Sequence, residues 1–397
     1  EEYDAPLVEL TDIYKAKTGD EIVNEQMYSF TDRGGRDVSI RPEMTPSVSR
    51  MVAGKRQELA YPLRWYSIPN LWRYERPQKG RLREHWQLNV DIFGVQTIDA
   101  ELEMILLAND IMKSFGASKE MYEIKLSSRK LVNLIMAQYL AMDVSKTHKL
   151  VKLLDKKNKL PEETFFGEAH AIIGEDESTR GKFDALMNAK SMAGLPDELK
   201  ESEPVRQVQI LFTLLNEHNV GNAVFDVSLM RGFDYYTDIV FEVYDTDEQN
   251  NRSIMGGGRY DGLVGLFGTE PVPTVGFGLG DVTMREFLEG HDLVPELRTE
   301  TDAYLAVIGE YLRQAQGVAA ILREEGINVA VDTTGRKLDK QIKTADKKGI
   351  KYVLFVGEEE LNEERFTLKD IDEGREEKMS LERVISKLAA PREEQMD

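Results

Sequence analysis

LWRYERPQKGRLREHWQLNVDIFG, residues 71–94, decides how the first half of the chain is built. A short apolar run enters a charged turn at Arg76-Pro77-Gln78-Lys79-Gly80, and a longer run leaves it. That is the pattern of two strands joined by a hairpin. In the second strand Gln87 and Asp91 stand four apart, so a period of two turns both to one face, an amide beside a carboxylate. Such a pair suits a small cationic or amphoteric ligand, or simply a half-buried polar strand face. A similar turn at Asp32-Arg33-Gly34-Gly35 extends the hairpin pattern over the first 110 residues, with helices at the flanks.

The turn is also basic in an acidic protein. Arg73, Arg76, Lys79, Arg81 and Arg83 oppose only Glu75, a local +4, whereas the 397-residue chain has 71 acidic and 51 basic side chains and a net charge of −20. A polyanion must therefore bind at local patches and not through a global field. Guanidinium groups on a strand end grip phosphate oxygens in pairs; a solvated hairpin tip is the competing reading. Cysteine is absent, which excludes disulfides and thiolate chemistry, and the five histidines show no metal-site spacing. Chemistry must run on Arg, Asp, Glu, Tyr and backbone amides. No apolar run approaches the length of a membrane span and no signal-like start is visible, so a soluble, cytoplasmic protein of two or three domains is expected.

Outward from the hairpin, residues 100–114 place Leu102, Ile105, Leu106 and Ile111 at helical spacing, an amphipathic helix packed on a sheet. Between 129 and 219 the chain becomes rich in Lys, Glu, Leu and Met, with helices expected near 129–141, 145–155, 178–192 and 204–218. Strand character returns at 222–226 and at 237–244, where Ile239, Phe241 and Val243 alternate with Val240, Glu242 and Tyr244. Glycine then concentrates at 256–258 and at Gly276, Gly278 and Gly280. After a linker near 290–301 the order is strand (303–308), helix (313–325), strand (328–331), helix (337–348), strand (351–356), acidic hairpin and helix (380–388), an α/β domain.

Three further segments carry polar chemistry. In Arg41-Pro42-Glu43-Met44-Thr45-Pro46 paired prolines fix the backbone, so that Glu43 and Thr45 either receive an ammonium group or form a turn with Thr45 as a helix N-cap. In Arg231-Gly232-Phe233-Asp234-Tyr235-Tyr236-Thr237 one guanidinium and two phenols converge on a ligand or stack structurally. The run Gly256-Gly257-Gly258-Arg259-Tyr260-Asp261-Gly262 matches neither a dinucleotide fingerprint nor a phosphate-binding P-loop. Near the end, Arg336, Lys340, Lys343 and Lys347 recur on one helical face, a solvated stripe or a surface for nucleic-acid phosphates.

Together these segments resemble the class II aminoacyl-tRNA synthetases and, within them, the histidyl-tRNA synthetases. YDAPLVEL at 3–10 is similar to the end of motif 1, the dimer segment whose preceding helix would lie before Glu1; RYERPQKGRLREHWQ is similar to motif 2; RGFDYYT and GGGRYDGL resemble the two segments specific to the histidine enzymes. The resemblance implies an α+β catalytic domain built on an antiparallel sheet (1–128 and 221–295), interrupted by a helical insertion (129–220), and a C-terminal α/β anticodon-binding domain (301–397). It implies an ATP-dependent ligase that activates histidine and charges tRNA(His), with Mg2+ and as a homodimer.

By the same resemblance Arg73 and Arg231 are catalytic cations on opposite sides of the α-phosphate, Arg73 also binding the substrate carboxylate, with Glu75 and Arg81 in the ATP site. Glu43 and Thr45 receive the histidine ammonium, Gln87 fixes the amino acid, Asp91 accepts from the imidazole, and Tyr235 and Tyr236 complete the pocket. Asp91 stands where many members have Glu. The segment Arg336, Lys340, Lys343 and Lys347 would meet tRNA. One departure is visible: GFGLGDVT, residues 276–283, places Thr283 where motif 3 carries an Arg for the outer phosphates. Arg285 would point elsewhere on a helix, leaving another basic residue such as Arg259, or a weaker ATP site. The competing function is a catalytically silent regulatory paralogue; such regulators typically lack the anticodon domain or degrade these motifs, and here both persist.

Overall fold

The computed structural model describes residues 1–15, 22–75, 81–154, 157, 160–189, 191–229, 235–247, 249–295, 297 and 299–389. The chain divides into two compact units, Glu1–Val294 and Pro295–Asp397.

The first unit opens with β1 (Val8–Leu10), α1 (Asp12–Lys15), β2 (Tyr28–Thr31) and β3 (Asp37–Ile40), the strands forming a small antiparallel sheet in the order β1-β3-β2. Its polarity is inverted. Glu9 and Ser39 are buried and tied down, Glu9 by Arg50 at 2.7 Å and Ser39 by Thr11 and Ser29. Val8, Leu10 and Phe30, on the opposite face, are exposed. Next comes α2 (Thr45–Lys55), whose N-cap is Met44 with no side-chain hydrogen bond. Thr45 is thus the first helical residue and not the cap, with Pro46 following in the first turn, where a missing N–H costs nothing.

The hairpin read from residues 71–94 is part of a sheet of eight strands among the described residues. They are β4 (Leu63–Ser67), β5 (Asn70–Trp72), β6 (Glu84–Phe93), β7 (Tyr122–Ser128), β8 (Ala223–Phe225), β9 (Ile239–Asp245), β10 (Ser253–Arg259) and β11 (Thr274–Gly280). The order is β4-β6-β11-β10-β9-β7-β8, with β5 paired to β6, and every pair is antiparallel except β7 with β8. The register sorts side chains onto two faces. Ile92, Val275, Phe277, Phe241, Val243, Ile124 and Leu126 point into a core closed by α3 (Asp99–Ser114). Gln87, Asn89, Asp91, Gly276, Gly278, Gly256, Gly258, Glu242 and Lys125 share the other face. On α3 the buried seam is Ala100, Met104, Ile105, Ala108 and Met112; Leu102, Leu106 and Ile111 flank it half-buried, so the helix sits rotated from the stripe read in the sequence.

Between β7 and β8 run α4 (Arg129–Leu134), α5 (Val144–Leu154), α6 (Glu162–Ile173), α7 (Glu177–Met187), α8 (Asp197–Lys200) and α9 (Glu203–Glu217). Helix α6 is absent from the sequence reading because Phe165-Phe166-Gly167 lowers helix propensity locally. Tertiary burial of Phe165, Ala169 and Ile173, one per turn, outweighs that deficit. Helix α10 (Asp281–Gly290) follows β11 directly.

The second unit contains β12 (Ala303–Val307), α11 (Leu312–Glu324), β13 (Val329–Val331), α12 (Leu338–Lys347), β14 (Tyr352–Val356), α13 (Glu358–Glu363), β15 (Arg365–Asp370), β16 (Glu376–Ser380) and α14 (Leu381–Leu388). The sheet order is β13-β12-β14-β15-β16, parallel over the first three strands and antiparallel beyond. Arg336 departs from the expected helical stripe. It precedes α12, and its guanidinium pairs with the buried Asp332 at 3.1 Å and with the Thr334 hydroxyl at 2.7 Å. Lys340, Lys343 and Lys347 are on α12 and exposed.

Candidate active site

The polar face of the large sheet is the floor of a cavity of about 660 Å³. The floor is bare because the middle strands are glycine-rich. A Cβ on Gly276 would lie 2.1 Å from Asp91 Oδ1, and one on Gly278 would lie 2.9 Å from the Gln87 amide carbon. Only hydrogen at these positions lets the polar arms from β6 lie over the neighbouring strand.

Around that floor the cavity gathers Glu43, Thr45, Arg73, Glu75, Arg81, Gln87, Asp91, Tyr235 and Tyr236. Each is a residue singled out in the sequence, and they come from three separate segments. Glu43 is buried, and the Tyr235 phenol donates to its Oε2 at 3.2 Å. Burial, the Glu43 charge and Tyr236 together push the Tyr235 hydroxyl well above its ordinary range, so it stays a protonated donor. Tyr236 is pushed up for the same first reason, loss of solvent. Arg73 is held at its Nε by the Pro42 carbonyl, 2.9 Å away, while Arg81 meets Glu75 at 2.9 Å. Arg231, with Gly232, Phe233 and Asp234, lies outside the described residues, as do Arg76 and Lys79.

Three participants escaped the sequence reading. Tyr260 lines the cavity, is fully buried, and donates its phenol O–H to Asp91 Oδ1 in a short hydrogen bond. Its ring packs edge-on against Tyr235 at 5.4 Å and Tyr236 at 6.4 Å. Burial raises Asp91, and the Tyr260 bond only partly opposes it, leaving the carboxyl at about 7. His85 also lines the cavity; burial and the neighbouring Arg73 charge push its imidazole down to about 4, so it is a neutral ring. Asn89 sits between Gln87 and Asp91 on the same strand face, and the period of two already visible in that strand was the signal for it.

Two expectations about phosphate-binding cations are settled by geometry. Arg259 is no phosphate ligand. Its guanidinium is buried and forked onto Glu101 of α3 at 2.6 Å through both Nε and Nη2, with the Val95 and Thr97 carbonyls at 3.0 Å. Arg285 pairs with Glu289 on the exposed side of α10. Thr283 does line the cavity, its hydroxyl donating to the Ile254 carbonyl at 3.1 Å. The cationic side chains at the wall, among the described residues, are Arg73, Arg81, Lys125 and Arg252.

Comparison with known proteins agrees with this arrangement. The profile of the histidyl-tRNA synthetase family matches residues 1–281, and that of the anticodon binding domain matches 302–390. A histidine–tRNA ligase of Leptospira biflexa is 43% identical over 98% of this chain and 89% of its own length. One from Thermoplasma volcanium is 36% identical over 95% and 88%, respectively. Among solved structures, histidyl-tRNA synthetase from Nostoc sp. PCC 7120 superposes with a TM-score of 0.79 over 98% of this chain and 90% of that one, at 21% identity, a likeness of fold. The match of profile, of relatives over nearly full length and of a pocket assembled from the same segments has one reading: this chain belongs to the histidyl-tRNA synthetase family.

Proposed function

We propose that the cavity activates L-histidine with ATP to the adenylate and passes the histidyl group to the 3′ end of tRNA(His). The observation that carries the reading is the convergence of Glu43, Gln87, Asp91 and the tyrosines with Arg73 on one glycine floor. Glu43 and Thr45 take the α-ammonium, a cation for which a buried carboxylate is the natural acceptor. Gln87 orients the amino acid. Asp91 accepts an imidazole N–H on the side not occupied by Tyr260, and Tyr236 closes the opposite side of the ring.

A carboxylate oxygen of histidine attacks the α-phosphorus in line, pyrophosphate leaves, and negative charge builds on the pentacoordinate centre. Arg73 and Arg231 match that charge, which is where fixed cations contribute most to rate. Leu229 and Tyr235, on either side of the Arg231 segment, both line the cavity, which supports that role. Glu75 and Arg81 hold the nucleotide. No side-chain acid or base is required for the adenylation step. A hydroxyl of the terminal adenosine then attacks the activated carbonyl and AMP departs.

Magnesium enters with the triphosphate. It keeps much of its hydration and binds chiefly the phosphate oxygens it arrives with. The inverted sheet of β1, β2 and β3 supports a homodimer, since exposed Val8, Leu10 and Phe30 need a covering surface. The second unit, with the α12 lysines, would engage tRNA phosphates in the cytoplasm. The test is histidine-dependent exchange of pyrophosphate into ATP by the intact protein. Exchange confirms a ligase; its absence, with histidine bound, would favour a regulatory paralogue.

A further inference from the structure

Arg259 is the most heavily partnered side chain near the cavity that touches nothing inside it. Its fork grips Glu101 at 2.6 Å on two nitrogens, and Nη1 and Nη2 reach the Val95 and Thr97 carbonyls at 3.0 Å, with Asp261 at 3.3 Å. Arg259 and Glu101 are both buried. A clamp this complete fixes a main-chain position, and two ligand-facing segments hang from that position. Tyr260 follows immediately, and its phenol donates to Asp91. The Arg259 carbonyl accepts from the Thr237 amide at 2.7 Å and from its hydroxyl at 3.3 Å, so the clamp also anchors the residue after Tyr236. The loop is closed by Asp261, whose amide donates to the Thr237 hydroxyl and whose carboxylate accepts from the Thr274 amide.

We propose that the Arg259–Glu101 clamp is a positioning device for histidine recognition: it locks α3 to the strand end that aims Tyr260 at Asp91 and holds Tyr236 beside it. The inference rests on the functional reading above. Neither residue reaches substrate, so neither is catalytic. A buried side chain held by a fork cannot be replaced by a point charge without loss of direction, and small displacements of positioning groups are felt strongly at a site.

The test compares the unmodified chain with Glu101→Gln, Arg259→Lys and Tyr260→Phe in histidine-dependent pyrophosphate exchange, with KM measured separately for histidine and ATP. Glu101→Gln and Arg259→Lys are each expected to raise the histidine KM about tenfold while the ATP KM stays within about twofold. Because the clamp acts through Tyr260, adding Glu101→Gln to Tyr260→Phe should raise the histidine KM little further, a non-additivity that a general loss of stability does not produce. Should Arg259→Lys fail to fold, the isosteric Glu101→Gln decides, and Thr237→Val, which exchanges the hydroxyl for a methyl and keeps the amide bond, is expected to give a smaller shift in the same direction. Unchanged histidine KM in folded variants, or full additivity with Tyr260→Phe, overturns the inference alone. Absence of exchange in the unmodified chain overturns the functional reading, and this inference with it.

Discussion

The two large sheets of this chain are covered in different ways. In the C-terminal unit all five residues of β12 are buried, and apolar clusters lie on both faces. Leu305, Ala319, Leu354 and Val384 belong to one cluster; Tyr304, Ala306, Ala345 and Val353 belong to the other. A sheet sandwiched by its own helices offers no open face to a ligand, and the exposed lysines of that unit lie on the outside of α12. The catalytic sheet is packed on one face only. Its other face keeps a polar rim around glycines, and the ligand space occupies the layer that helices fill in the smaller unit. Lining that space with polar groups has a cost visible in the chain itself, because burial raises Asp91 to about 7 and keeps His85 neutral.

The largest expected effect comes from filling that open face. Gly276→Ala places a methyl against Asp91, and histidine-dependent exchange should fall by roughly three orders of magnitude, the scale of a lost set of oriented contacts. Near-normal exchange in a folded Gly276→Ala protein would remove the glycine floor from the account. Arg73→Ala and Arg231→Ala come next. Each should lower kcat for adenylate formation by about 10²–10³-fold, as for a single transition-state charge, and Arg231→Ala should leave histidine binding by calorimetry little changed. A loss of binding in that variant instead would make Arg231 a ligand anchor. Protonation sharpens the comparison further. Because burial raises Asp91 to about 7, lowering the pH from 8 to 6 turns a charged acceptor into a neutral acid. kcat/KM for histidine should then drop up to about tenfold per unit on the acid side. Asp91→Asn should flatten this limb; a limb that persists would belong to the free amino acid's own imidazole.

Smaller effects belong to the other unit. Replacing Lys340, Lys343 and Lys347 together by Ala should raise the KM for tRNA several-fold and flatten its salt dependence by up to about three phosphate contacts, leaving exchange untouched. An unaltered salt dependence would place the tRNA elsewhere. Smallest is Gly317→Ala on α11, where an added methyl meets nothing within 4 Å. It should stabilise the protein by about 0.5–1 kcal/mol in thermal unfolding without changing activity, the opposite of the same substitution at Gly276.

The parts of the fold that were legible were those written as local periodicity. The alternation in β9 and the strand–helix order of the C-terminal unit stand nearly at the expected bounds, and Gln87 and Asp91 do share a face. What escaped depends on partners far away in the chain. Tyr260 meets Asp91 across 169 positions and Arg259 meets Glu101 across 158, so no window of sequence shows that one guanidinium is consumed inside the protein while Arg73 lines the cavity. Arg336 fell out of its stripe for the opposite, local reason: Asp332 and Thr334, just upstream, hold it in the turn before α12. On α3 the seam against the sheet is Ile105 with Ala100, Met104, Ala108 and Met112, and Leu102, Leu106 and Ile111 are left at its flanks.

A pocket bottomed by Gly256, Gly276, Gly278 and Gly280 presents peptide planes where other sites present variable groups. An inhibitor lying flat on those planes would touch atoms common to every amino acid. Drug resistance by point mutation would then have few routes there, since the change that evicts the compound also evicts the natural amino acid.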